Sequence, residues 1–146
     1  MFLFDTLKVM KDIVSGGIAS YKAGEKLDEL IEKVMADYGE ELSTAQENLY
    51  LKYERAKKAY SDNSDSNKTD DLLIAMENAR IEFLESLEEN SSLPNSLKNE
   101  IKTSIKEFKK ADNMALDSLG EVLNKHAETD EQRAEIRKTL DESKRK

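Results

Sequence analysis

Between Asn95 and His126 the apolar residues fall at Leu97, Ile101, Ile105, Phe108, Ala115, Leu119 and Val122, spaced by threes and fours except where Asp112 interrupts. That spacing holds one stripe of an α-helix apolar. At 1.5 Å per residue the helix would be about 48 Å long, and the rest of the chain reads as material to cover it. Upstream, apolar or small residues recur at Leu27, Ile31, Val34, Tyr38, Leu42, Ala45, Leu49, Tyr53, Ala56 and Tyr60. The steps of four, three and four amount to about 3.67 residues per turn, close to a straight helix. The register passes through Gly39 without a slip, so the pattern predicts one long helix over 18–60, with Gly39 a weak point costing about 1 kcal/mol relative to alanine. A competing reading breaks it near Gly39, with Ser43 and Gln46, or Thr44 and Glu47, as a capping box for a second helix.

The other elements follow the same logic. Residues 2–14 form a short amphipathic helix, with Leu3, Leu7, Met10 and Val14 on one stripe, before Ser15-Gly16-Gly17 breaks it. Residues 61–70 are an acidic loop. Residues 71–89 form a helix with Leu73, Met76, Phe83 and Leu87 on its apolar stripe, and Pro94 stands near the start of the helix over 95–127. Thr129 and Gln132 make a capping box for a weak C-terminal helix over 129–143, with only Ala134, Ile136 and Leu140 to bury and a basic end expected to fray.

Short connections favour antiparallel neighbours. Folding the chain at Ser92 sets Leu87 against Leu97, Phe83 against Ile101 and Met76 against Phe108. The glutamates at 82, 85, 88 and 89 then face the lysines at 98, 102, 106, 109 and 110. The same test pairs Leu3 with Leu30 and Leu7 with Leu27 near Gly16, and Leu119 with Ile136 and Leu116 with Leu140 near Ala127. The expected fold is all-α, an elongated antiparallel helical bundle of successive helical hairpins.

Composition agrees. Charged residues are 37% of the chain and hydrophobic ones 38%, with one proline and no tryptophan, which suits helices. The 146 residues suggest one domain. The absence of cysteine excludes disulfides, zinc thiolates and thiol catalysis. Asp5, Lys8, Lys11 and Asp12 interrupt the apolar start, so no signal-peptide core forms. No stretch approaches the roughly 18 apolar residues of a membrane span, and a cytoplasmic location is expected. The net charge of −8 disfavours nucleic acid, whose phosphates call for cationic side chains, and suits a basic protein partner.

Constellations that carry chemistry are sparse. His126 is the one histidine, and with Glu128 and Asp130 it does not share a helix face, so it reads as a solvated residue near a helix C-terminus. A single histidine also excludes the paired Glu-x-x-His sites of di-iron bundles. Begun at Asp62, the loop has Asn67 where an EF-hand requires glycine and Leu73 where it requires glutamate. Gly16-Gly17 lacks the lysine and spacing of a phosphate loop. The expectation is no metal, no cofactor and no enzymatic activity. The N-terminal residues Phe2, Leu3, Phe4, Leu7 and Met10 give a wide apolar face and are the candidate interaction surface. The functional expectation is a non-enzymatic acidic helical protein that binds another protein as an adaptor, inhibitor or immunity-type module, with self-association as a further way to cover its apolar faces. The alternative is a peripheral membrane scaffold anchored by that N-terminal helix.

Overall fold

The computed structural model describes residues 19–145. The described chain is all-α. Five α-helices follow in order: α1 (Ala19–Tyr38), α2 (Thr44–Asp62), α3 (Thr69–Ser86), α4 (Asn95–His126) and α5 (Asp130–Ser143). Short 3-10 turns at Gly39–Glu41 and Leu87–Glu89 close α1 and α3. Where length alone suggests one domain, the described residues group into two compact units: residues 24–105, and residues 106–145 with 19–23.

The helix expected to run unbroken over 18–60 is two helices. α1 stops at Tyr38, and Ser43 caps α2. The Ser43 hydroxyl accepts from the Gln46 amide at 3.1 Å, while the Gln46 side chain accepts from the Ser43 amide at 3.0 Å. This reciprocal box satisfies helix-start donors that a continuous helix would have satisfied internally. The break also turns the inward face. Ala45, expected in the core, is exposed, and Gln46 is buried in its place.

In the unit of residues 24–105, α3 is the most enclosed helix. Glu77, Ala79, Arg80, Ile81, Phe83 and Leu84 are all buried, more than one stripe can hold, whereas Leu73 and Met76 of the expected stripe are only half-buried. Gln46 reaches the Ser86 carbonyl, the Tyr50 ring lies 5.5 Å from that of Phe83, and Lys52 pairs with Glu82. Residue numbers rise along α2 as they fall along α3, so these two helices run in opposite directions. Leu27, Leu30, Ile31 and Val34 of α1 and Leu97, Ile101 and Ile105 of α4 are also buried in this unit, as are Leu42, Tyr53, Leu87 and Leu93.

In the unit of residues 106–145, Leu116, Leu119 and Leu123 of α4 form one buried cluster with Ile136 and Leu140 of α5, and Ala127 packs against it. Ala134, expected inside, is exposed. Thr129 caps α5 through the expected box with Gln132. Gly120 faces Leu140 so closely that a β-carbon there would lie 2.5 Å from Leu140 Cδ1. Alanine normally favours a helix by about 1 kcal/mol over glycine. Here Gly120→Ala is expected to cost stability instead, by up to about 2 kcal/mol net, because overpacking costs about 1–3 kcal/mol. Urea denaturation of the two chains checks the sign.

Candidate functional site

The sequence-derived surface of Phe2, Leu3, Phe4, Leu7 and Met10 lies outside the described residues. His126 is the exposed last residue of α4, beside Lys125. In the loop between α2 and α3, Asn63 Oδ1 and Asp65 Oδ1 accept from the Asp65 and Asn67 amides at 3.1 and 3.0 Å, and Asn63 Nδ2 donates to the Asp65 carbonyl. These are Asx turns, the chain's own use of short polar side chains to hold a bend. Among the described residues, no group of three or more His, Cys, Asp or Glu side chains is placed to hold a metal ion. No described helix is long and apolar enough to cross a membrane.

What the fold does assemble is an acidic corner. The buried side chain of Asn90 donates from Nδ2 to the Glu41 carbonyl and to Gln46 Oε1, both at 2.9 Å. Gln46 in turn donates to the Ser86 carbonyl at 3.0 Å. Asn90 Oδ1 accepts from the Ser92 amide, and the Ser92 hydroxyl reaches Glu41 at 3.4 Å. These bonds tie the 3-10 turn after α1 to the one after α3. Each turn carries two adjacent glutamates, Glu40 and Glu41 on the first and Glu88 and Glu89 on the second, and all four are exposed. Lys102 approaches Glu88 only at 3.8 Å, with both side chains largely in water, so it offsets little of the charge. Among the expected pairings of the 98–110 lysines with glutamates, the structure shows that of Lys102 with Glu88. The corner thus presents like charges on backbone that a buried amide network holds fixed, an arrangement suited to binding cationic side chains without reordering.

A second polar cluster is internal. Tyr53, only 1% exposed, donates from its hydroxyl to Asp28 Oδ1 at 2.6 Å. Arg80, buried on α3, donates to the same oxygen at 3.3 Å. Gly24 leaves room for the guanidinium: a β-carbon there would stand 3.0 Å from Arg80 Nη2. Burial raises the Tyr53 hydroxyl well above the ordinary phenol range, and the hydrogen bond to Asp28 and its charge add to the effect. Tyr50 is raised for like reasons, burial first and then Glu54. A phenol whose proton is held more tightly in the folded chain contributes stability that is intact below the unfolded pKa of about 10. That stability is lost as pH rises toward the folded value, at no more than about 1.4 kcal/mol per pH unit for each tyrosine. Urea melts above pH 10 are therefore expected to show falling stability, and Tyr53→Phe should flatten the slope. An unchanged slope in that variant would exclude Tyr53 as its source.

A third group sits on α4. Asp112, the residue that interrupts the apolar stripe, is 2% exposed and pairs with Arg145 at 3.1 Å. The guanidinium carbon lies 5.2 Å from the centre of the Phe108 ring, within cation–π range. Lys144 pairs with Asp117 at 2.6 Å. The basic end of the tail, expected to fray, is instead held by four side chains of α4, namely Phe108, Asp112, Asn113 and Asp117.

No protein-family model matches the chain, and comparisons with curated proteins and with solved structures find no match.

Proposed function

We propose that the protein is a non-enzymatic interaction module whose acidic surface binds a basic surface of another protein, in the manner of an adaptor, inhibitor or immunity-type protein. The observation that carries this reading is the corner formed by Glu40, Glu41, Glu88 and Glu89. The four carboxylates are exposed, and the Gln46–Asn90 network behind them is buried. Charge arranged in this way steers a cationic partner and fixes its register. The net charge of −8 adds a long-range attraction of the same sign.

The test is binding of a partner isolated from native extract, measured against the wild-type chain and a Glu40→Lys/Glu41→Lys/Glu88→Lys/Glu89→Lys variant. Association with the wild type should slow steeply as salt rises. The variant should bind at least about 100-fold more weakly, equivalent to about 2.7 kcal/mol. Equal binding by both chains would refute the corner as the site. If Phe2→Ser/Phe4→Ser/Leu7→Ser abolished binding while charge reversal did not, the contact would belong to the N-terminal apolar face instead.

A further inference from the structure

The tail contact on α4 has the form of a peptide-recognition site with an occupant already in it. α5 ends at Ser143, and Lys144 has extended backbone, φ −69° and ψ 142°. Asn113 then holds both backbone groups of Arg145: its Nδ2 donates to the Arg145 carbonyl, and its Oδ1 accepts from the Arg145 amide, each at 2.7 Å. Such a clamp reads only backbone and accepts any extended residue. Side-chain selection comes from its neighbours. Asp112 Oδ2 accepts from Arg145 Nε at 3.1 Å, in a carboxylate only 3% exposed. The Phe108 ring lies against the guanidinium, and Asp117 takes the Lys144 ammonium. A planar cation over an aromatic face with a carboxylate at its edge is arginine chemistry, not lysine chemistry.

A buried ion pair contributes little stability beyond apolar residues of the same volume. Asp112 therefore finds its best use in selecting a cation. The geometry points to the Phe108–Asp117 face of α4 as a recognition site for an extended Lys-Arg segment of a basic partner protein, kept closed by the chain's own Lys144 and Arg145. The tethered tail competes at an effective concentration of about millimolar, so a partner must displace it, and the tail acts as an internal inhibitor of the site. A second copy of the chain is the poorer occupant, since two chains of net charge −8 repel each other. This inference deepens the reading of an acidic module by stating what its partner must display.

The experiment uses full-length chains and a fluorescent synthetic peptide with the sequence from Thr139 to Lys146, followed by anisotropy. The Lys144→Ser/Arg145→Ser chain, with its site vacated, should bind the peptide at least about tenfold more tightly than wild type. Adding Asp112→Asn should remove that gain, and a peptide with serine at both basic positions should not bind. A vacated chain that is helical by circular dichroism yet binds no better than wild type would overturn the proposal. If that chain fails to fold, isotope-labelled wild type is titrated with unlabelled peptide. Displacement of the Arg145 amide resonance to its released position supports the site, and an unmoved resonance at saturating peptide rejects it. Concentration-dependent dimerisation of wild type that the peptide reverses would assign the site to a second copy and overturn the choice of partner. Every chain in the peptide assay keeps the glutamates at 40, 41, 88 and 89, so any contribution of the acidic corner is constant across it, and its failure and that of the charge-reversal test are separately visible.

Discussion

Phe83→Ala is expected to destabilise the chain by about 3–5 kcal/mol, since truncating a buried phenylalanine loses both transfer free energy and packing. Phe83 is fully buried in the last turn of the most enclosed helix, and its ring meets Tyr50 in a tilted contact, so little can collapse into the space it leaves. Domains of this size have total stabilities of about 5–15 kcal/mol, so one substitution removes a large share. Equilibrium urea denaturation should show a lower midpoint at unchanged slope. Phe83→Leu, which keeps most of the volume, should cost less than about 1.5 kcal/mol. A loss below about 1 kcal/mol for Phe83→Ala would mean that the ring does not fill the core as described.

The second large effect is expected from Leu119→Ala, at about 2–5 kcal/mol, and its distribution is the more informative quantity. Leu119 belongs to the cluster of Leu116, Leu123, Ile136 and Leu140, none of which is shared with the unit of residues 24–105. Regions with few buried contacts open at lower free energy than the whole chain. Hydrogen exchange should therefore accelerate most in α5 and in the α4 residues after 105, while α2 and α3 keep more of their protection. Uniform acceleration along the chain would show that the two units open together.

The helices themselves were legible because local rules produce them. Threes-and-fours spacing located α4 almost to the residue, and the boxes at Ser43–Gln46 and Thr129–Gln132 are short-range chemistry visible in four letters. The helix break was harder to decide, because the apolar spacing continues through Gly39 as if nothing happened. The cap prevailed because Gln46 has further partners at Ser86 and Asn90, forty and more positions away. Long-range partners explain the other misses too. Arg80 reads as a surface residue until Asp28 and Tyr53 are brought to it, and Asp112 reads as a flaw in an apolar stripe until Arg145 arrives from 33 residues downstream. The acidic corner was not legible. The sequence reading sets Glu88 and Glu89 against the lysines of α4 and passes over Glu40 and Glu41, because their assembly depends on Asn90 reaching Glu41 and Gln46 from more than forty positions away.

Leucine seams between helices are forgiving: a slip of one turn, about 5.4 Å, still sets apolar side chains against apolar side chains. Gly120 opposite Leu140 and Asn113 opposite Arg145 remove that freedom. A slipped α5 would carry Leu140 off its notch and leave the Asp112 carboxylate facing no cation. The two helices are therefore indexed like a key in its wards, and polar residues that add little to adhesion decide which alignment survives.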